Sequence, residues 1–228
     1  PKMTAIAEVT KREQKNMEND VRTEGMYEYT VRFGEATIVR HLREYDFEKH
    51  DTVIPAYLGS YPVVEIGRAA FQEQYMIGSV TVPEGVRVIG GGAFADSNRI
   101  TEIKLPRTLE RIEGGAFSFC NDLEWMVVPR GVNYIGGHAF WHCVSMTKIW
   151  LPDTVTDIED WTFDECGQLY KLYMHSGTKI SGERVFDRCR KLNDIIRYDY
   201  MEEPTNGDFE RAEGVGLVRE NIERYKMW

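Results

Sequence analysis

Residues 123–145 read LEWMVVPRGVNYIGGHAFWHCVS, and the same spacing of apolar, proline and cysteine positions returns every 23 residues along the chain. Four residue types each hold one position of this period. They are phenylalanine at Phe71, Phe94, Phe117, Phe140, Phe163 and Phe186, proline at Pro83, Pro106, Pro129 and Pro152, isoleucine at Ile66, Ile89, Ile112, Ile135 and Ile158, and cysteine at Cys120, Cys143, Cys166 and Cys189. Such a period predicts a solenoid, because stacked repeats bury apolar faces that one repeat cannot bury alone.

Each repeat contains two extended segments joined by turns. In the quoted stretch Leu123, Met126 and Val128 hold the first, fourth and sixth places, which are apolar in the neighbouring repeats too. The fourth and sixth places alternate as in a strand, and we expect both to point into the core. Pro129 ends this strand, since proline has no N–H to donate. A second extended segment, 132–135, sends two more side chains inward, and glycines follow it. We expect the pair Ala139–Phe140 to lie on one short helical turn that closes the coil.

The combined pattern L-x-x-I-x-L-P-x-x-V-x-x-I-G-x-x-A-F-x-x-C resembles the BspA-type leucine-rich repeat of bacterial surface proteins, which also occurs in some protozoa. The resemblance covers residues 51–197. It implies an α/β-type repeat solenoid, a right-handed leucine-rich-repeat coil with a parallel strand sheet and about six repeats. The last repeat departs from the pattern at His175, Ser181 and Arg197, as expected where a solenoid ends.

Segments without the repeat flank it on both sides and predict a cap at each end. The three expected regions are 1–50, 51–197 and 198–228. The first contains a polar arm or helix over 4–22 and a hairpin around Gly34 that shields the first coil. In the third region the apolar residues are spaced to give a final helix one apolar side. They are Phe209, Ala212, Val218, Ile222 and Tyr225.

Composition and charge exclude several partner classes. The chain has 228 residues, of which 28 are basic and 37 acidic, for a formal charge of −9. This balance argues against nucleic acid and anionic membranes as main partners, because both require a basic surface. No segment approaches the ~20 apolar residues that span a bilayer, so we expect no membrane insertion.

The four cysteines occupy one position of the repeat and should therefore lie one above another. Their Cα atoms would be separated by the strand spacing of ~4.8 Å, which lies within the range that a disulfide tolerates. In-register side chains point in parallel, however, and cysteine packs as a small buried hydrophobe. We expect a reduced packing ladder; disulfide pairs and a metal or redox role remain open alternatives.

Candidate catalytic groups are few. His138 and His142 are four residues apart, a spacing that chelates a metal on one helical turn, but no glutamate follows His138 as in zinc proteases. The acidic pairs Glu159–Asp160 and Asp164–Glu165 fall on repeat turns, where solvated surface residues are expected. No nucleophile elbow, phosphate-binding loop or dinucleotide-binding motif is present. We therefore expect no enzymatic activity and no cofactor, with a metal-dependent enzyme on the two histidines as a distant alternative.

One surface of the predicted sheet collects aromatic rings and lysines. With the fourth and sixth positions of each repeat inward, the third and fifth should face solvent. The residues that this alternation places on neighbouring coils are Trp125, Trp150 and Tyr173 together with Lys104, Lys148 and Lys171. Rings and cations on a rigid exposed face are common in binding hot spots. The alternatives are that a terminal cap or a partner coil covers the rings, or that they serve only in cross-strand packing.

These observations favour non-catalytic recognition through the strand surface. The family resemblance implies a surface-exposed or secreted bacterial protein that adheres to host matrix, other cells or glycoproteins, so the partner expected is a protein or a glycan. The alternative is an intracellular, cytoplasmic interaction scaffold, which unpaired cysteines suit. The start Pro1-Lys2-Met3 shows no apolar signal core, and a leader removed before it fits the surface location equally well.

Overall fold

The computed structural model describes residues 20–42, 49–204, 214–215 and 217–225. They form a parallel-strand β-solenoid of about seven turns, which confirms the repeat fold predicted from the sequence. Equivalent positions of neighbouring coils pair with one another: Met126 lies beside Ile149, and Ile149 beside Leu172. The 23-residue period is therefore the length of one coil.

Most strands are only two to five residues long, as expected when each coil turns sharply at glycine and proline. The strands are β1 (Arg22–Glu24), β2 (Tyr27–Arg32), β3 (Glu35–His41), β4 (His50–Val53), β5 (Tyr57–Leu58), β6 (Tyr61–Ile66), β7 (Ile77–Thr81), β8 (Val88–Ile89), β9 (Glu102–Lys104), β10 (Arg111–Ile112), β11 (Trp125–Val127), β12 (Tyr134–Ile135), β13 (Lys148–Trp150), β14 (Asp157–Ile158), β15 (Lys171–His175), β16 (Lys179–Ile180), β17 (Asp194–Tyr198), β18 (Tyr200–Met201), β19 (Gly214–Val215) and β20 (Val218–Asn221). A single 3-10 turn, Ile222–Tyr225, follows β20.

Two stacks of strands run along the solenoid, one on each side of the core. The first comprises β4-β7-β9 and then β11-β13-β15-β17-β20, and its outer surface is called the strand face below. The second comprises β1-β2-β3-β6-β8-β10-β12, followed by β14 and β16. All pairs between coils are parallel; β20 joins β17 in the antiparallel direction and covers the C-terminal edge of the first stack.

A column of phenylalanine rings runs through the core between the two stacks. The six rings from Phe71 to Phe186 are fully buried, and successive ring centroids are 5.1, 5.6, 5.5, 5.5 and 5.9 Å apart. The column is continued by other rings at both ends: His41 stacks on Phe71 at 4.8 Å, and Tyr225 meets Phe186 edge-on at 6.2 Å. Residues outside the repeat thus close both ends of the ring column.

The cysteine column lies beside the phenylalanine column and contains no disulfide. All four cysteines are free and buried. Each thiol donates a hydrogen bond to the carbonyl of the phenylalanine 26 residues earlier; the Cys143 Sγ to Phe117 O distance is 3.2 Å. Ser97 holds the same position one coil before Cys120, and its hydroxyl donates to Phe71 O at 2.7 Å. The four cysteines thus lie in one buried column, and the column is hydrogen-bonded.

The expected helical turn at the Ala–Phe pair is wrong. No α-helix occurs in the described part of the chain, and the segment around Ala139–Phe140 is a run of turns. Its N–H groups alternate between two acceptors: Ala139 N bonds Gly136 O in the same coil, whereas Phe140 N bonds Thr162 O in the next coil. Two residues of each such turn have positive φ, which prevents a right-handed helix. These turns form what we call the turn edge of the solenoid.

The N-terminal hairpin pairs with the second stack. Strands β2 and β3 are antiparallel around Phe33 and Gly34, and β3 pairs in parallel with β6. The polar arm predicted over 4–22 lies almost wholly outside the described residues. We retain the regions 1–50, 51–197 and 198–228 as a proposal.

The expected final helix is wrong where the structure describes it. Val218 lies in β20, and only Ile222 and Tyr225 fall in the 3-10 turn; Phe209 and Ala212 lie outside the described residues. Backbone pairing with β17 is available to this segment because the solenoid ends there and leaves an open strand edge. No helix in the described residues has the length and apolar character needed to cross a membrane.

Candidate recognition surface

Four of the six predicted surface residues lie at the surface of the strand face. Lys104 is exposed, and Trp125, Lys148 and Lys171 are half-buried. Strand pairing places Trp125 beside Lys148 and Lys148 beside Lys171. Positions that are 23 residues apart in sequence are therefore immediate neighbours.

The exposure predicted for the other two rings is wrong. Trp150 is 0% exposed and Tyr173 is 6% exposed. Both belong to a second, smaller core with Tyr198 and Met201, against which Trp125 packs. The reason is that the chain leaves β17 and folds back over the strands, so that residues 198–204, called the strap below, cover the rings.

Three contacts hold the strap against the strand face. The Tyr198 hydroxyl donates to Leu151 O at 2.5 Å, and its ring stacks on Trp150 with centroids 6.1 Å apart. The guanidinium of Arg130 lies 5.3 Å from the centroid of the Trp150 ring and donates to Met201 O. Burial raises the pKa of Tyr198, so its hydroxyl keeps its proton and remains a donor. The aromatic part of the predicted patch is therefore mostly structural.

A groove of about 270 Å³ opens on the strand face beyond the strap. Its lining includes Tyr170, Lys171, Lys191, Asp194, Ile196 and Arg219. The ring of Tyr170 is 41% exposed, and the ammonium groups of Lys148 and Lys171 lie 6.0 and 5.9 Å from its centroid. An exposed ring with cations over it offers both apolar contact and charge to a partner.

Tyr170, Lys191 and Arg219 were not identified from the sequence. Tyr170 stands one position before β15, a position that the alternation argument left unassigned. Lys191 follows the cysteine position in a turn, and Arg219 lies in β20, beyond the repeat. A repeat pattern describes only residues that keep the period, so it gave no signal for these three.

A smaller pocket, of about 190 Å³, lies at the other end of the strap. Lys104 and Trp125 line it together with Pro204. The Lys104 ammonium is 3.6 Å from Glu102 Oε1, which partly offsets its charge. Trp125 thus packs against the strap and also lines this pocket.

The two histidines of the enzyme alternative are not brought together as a chelating pair. His138 stacks on Trp161 with ring centroids 5.7 Å apart, whereas His142 contacts Phe119 and lies 3.9 Å from Glu165. Both have positive φ and lie in a turn, so the helical geometry that the alternative requires is absent. The described residues include no group of three or more histidine, cysteine or acidic side chains placed to hold a metal ion.

One acidic pair, Asp164–Glu165, differs from the sequence expectation, whereas Asp160 of the other pair is exposed as expected. Asp164 is fully buried, and neither carboxylate oxygen has a hydrogen-bond partner among the described residues. Burial raises the pKa of Asp164, the neighbouring Glu165 raises it further, and Arg188 opposes them. Glu165 itself accepts a hydrogen bond from Arg188 at 2.5 Å. Two carboxyl groups flanking a shared cleft, as glycoside hydrolysis needs, are not formed by this pair.

Comparison with known proteins supports the repeat assignment. The model of the BspA type leucine rich repeat region matches six copies over residues 64–193, more than half of the chain. No curated protein matches the chain.

Solved structures of leucine-rich repeat proteins are similar over most of the chain. A leucine-rich repeat protein from T. pallidum is 25% identical with a TM-score of 0.58, covering 76% of this chain and 91% of that one. A leucine-rich repeat protein from Bacteroides ovatus is also 25% identical with a TM-score of 0.56; the match covers 78% of this chain and about half, 52%, of that one. With the repeat, the strand stacks and the ring column already described, these matches establish that the chain belongs to the BspA-type leucine-rich-repeat family.

Proposed function

We propose that the protein is a non-catalytic recognition module that binds a protein or glycoprotein partner through the strand face. The groove beside Tyr170 is the observation that carries this proposal. Repeat proteins of this kind bind partners on the extended surface that their stacked strands create. The contact surface comprises Lys104, Trp125, Lys148 and Lys171 from the sequence analysis, with Tyr170, Lys191 and Arg219 added.

The charge of the groove favours an acidic contact on the partner. Lys148 and Lys171 lie over the Tyr170 ring, and Lys191 and Arg219 line the same groove, in a protein whose formal charge is −9. Asp194 is the carboxylate in the lining. Complementary charge raises the association rate and excludes partners of the wrong sign. We therefore expect affinity to fall as ionic strength rises.

A binding screen against extracellular matrix proteins and serum glycoproteins tests this proposal. For the tightest binder, the double variant Lys148→Ala/Lys171→Ala should weaken the Kd by at least about tenfold, as a hot spot does. Lys179→Ala is the matched control, because Lys179 is exposed on β16 in the other stack. Equal losses in the double variant and the control would contradict the proposal, as would a binder unaffected by either.

We also propose a location at the cell surface or in the secreted fraction, which the family resemblance supports. The alternative, an intracellular scaffold, is favoured by the four buried, reduced cysteines. Protease treatment of intact cells distinguishes them: a surface protein loses its antibody signal, whereas an internal one is digested only after lysis. Retention of the signal on intact cells would overturn the surface location but not the binding proposal.

A further inference from the structure

The turn edge carries two columns of stacked side chains, each built at one repeat position. The first column is His138, Trp161 and Arg184: the His138 and Trp161 rings are nearly parallel at 5.7 Å, and the Arg184 guanidinium is 4.7 Å from the Trp161 centroid. The second column is Phe119, His142, Glu165 and Arg188. The ring centroids of Phe119 and His142 are 4.7 Å apart, His142 Nε2 is 3.9 Å from Glu165 Oε2, and Arg188 Nη1 is 2.5 Å from Glu165 Oε1. Trp141 joins them, since its ring contacts both Phe119 and His138.

All members of the two columns have positive φ, which side chains with a Cβ rarely adopt. The values are 59° for Phe119, 61° for His138 and 58° for Trp161. Earlier coils have Gly92 and Gly115 at the position of His138 and Trp161. The repeat thus accepts glycine there without strain, and the middle coils carry large rings instead. The positive φ is common to every coil, so what distinguishes the middle coils is the large rings that occupy it.

Polar groups without partners lie at the same turns. The Trp141 Nε1–H, the His142 Nδ1 atom and both carboxylate oxygens of Asp164 are buried and have no hydrogen-bond partner in the described part of the chain. The positions of Trp141 and Asp164 are occupied by Ala95 and Ser118 in earlier coils, so the repeat itself does not require these polar groups. Unpaired buried polar groups are exceptions in native folds, and four such atoms cluster at this edge among the described residues.

We propose that the turn edge around Trp141 and Trp161 is a carbohydrate-binding site for a neutral oligosaccharide, separate from the strand face. A sugar ring presents a face of C–H groups, which packs on aromatic rings, and a rim of hydroxyls, which both donate and accept hydrogen bonds. The aromatic rings would pack against the C–H face of the sugar, and Glu165, Arg184 and Arg188 would hydrogen-bond its hydroxyls.

Two features select an extended, uncharged ligand. The coils repeat every ~4.8 Å, which is close to the rise of one sugar unit in an extended oligosaccharide, so successive units meet successive coils. The two arginines of the columns are already engaged: Arg188 is paired with Glu165, and the Arg184 guanidinium lies over the Trp161 ring. A sulfated chain would have to displace these contacts, whereas an uncharged chain need not.

The test uses NMR of the five indole N–H groups with neutral hexasaccharides of glucose, mannose and N-acetylglucosamine, and a heparin hexasaccharide as the anionic comparison. At least one neutral hexasaccharide should shift the indole signals of Trp141 and Trp161 and leave those of Trp125 and Trp150 unmoved. No shift with any neutral probe at millimolar concentration overturns the proposal. Shifts confined to Trp125 or Trp150 also overturn it, because they place the sugar on the strand face.

Two variants separate binding from packing by using residues that the repeat already has at these positions. Trp161→Gly copies Gly115, and Phe119→Asp copies Asp96, which has a φ of 59°. Each should weaken binding of the neutral hexasaccharide by at least about tenfold, while the unfolding midpoint stays the same or rises as strain is relieved. Trp125→Ala is the control and should leave this binding unchanged.

Unchanged affinity in a folded variant would show that the rings only pack and would overturn the site. Where Trp161→Gly fails to fold, Phe119→Asp decides the question. Because the strand-face variants Lys148→Ala/Lys171→Ala leave the turn edge intact, failure of either proposal is distinguishable from failure of the other.

Discussion

The ring of Phe140 lies between those of Phe117 and Phe163, with centroids 5.5 Å away on each side. Phe140→Ala should lower the free energy of unfolding by about 3–5 kcal/mol, because it removes a fully buried aromatic ring and leaves a cavity. Chemical denaturation measures this loss. Phe33→Ala is the control, since Phe33 is 85% exposed, and it should change stability by less than about 0.5 kcal/mol. A loss below ~1 kcal/mol for Phe140→Ala would contradict the stacked column.

The thiol of Cys143 is expected to be replaceable by a hydroxyl but not by a methyl group. Cys143→Ser keeps a donor to Phe117 O, as Ser97 does to Phe71 O, whereas Cys143→Ala leaves that acceptor without its partner. We expect Cys143→Ala to be the less stable by about 1 kcal/mol. Burial raises the pKa of all four thiols, so the native protein should react slowly with thiol reagents and the denatured protein at four sites. Equal stability of the two variants would argue against the hydrogen bond.

The buried carboxyl of Asp164 should destabilise the protein at neutral pH. Its pKa is raised in the folded state, so folding binds the proton and stability falls as pH rises from the unfolded pKa, about 3.9, through the folded value. Asp164→Ala copies Ala95 and should stabilise the protein at pH 7 by about 1–3 kcal/mol. The gain should shrink below about pH 4, where the wild-type carboxyl is neutral in both states. Denaturation at both pH values measures this, and a loss of stability at pH 7 would contradict it.

At the scale of elements, the strap covers the ring of Trp150, which the sequence predicted to lie at the surface. Trp150→Ala should therefore lower the free energy of unfolding by about 3–5 kcal/mol, since it removes the ring on which Tyr198 stacks and over which Arg130 lies. Trp125→Ala is the matched control, and its half-buried ring should cost clearly less. Unfolding monitored by circular dichroism compares the two. If Trp150→Ala folds as stably as the wild type, the strap does not cover this ring in solution.

The strand elements were predictable because each one is defined by residues close in sequence and repeated every coil. Met126 and Ile149 enter the core by simple alternation, and Pro129 ends its strand for a local reason. The turns were not predictable in the same way. Phe119 and Trp161 have no intrinsic preference for positive φ, so only the bonding between coils imposes that backbone.

At the scale of the whole molecule, the candidate site depends on contacts that the period does not contain. The hydroxyl of Tyr198 bonds Leu151 O across 47 residues, and Arg219 reaches the groove from β20. Neither residue keeps the repeat, so alternation placed the lysines at the surface of the strand face but could not show which rings the chain end would cover. The end segments contact repeats that are distant in sequence, so these contacts exist only in the folded chain and not in the repeat pattern.

Lysine labelling of the complex tests most directly where the partner sits. The protein, free and bound to the tightest binder from the screen, is treated with an amine-reactive reagent, and the modification of each lysine is measured by mass spectrometry. Docking on the strand face predicts that Lys148, Lys171 and Lys191 lose reactivity in the complex, while Lys179 on the opposite stack keeps it. Unchanged reactivity at the first three with protection of Lys179 would contradict the account.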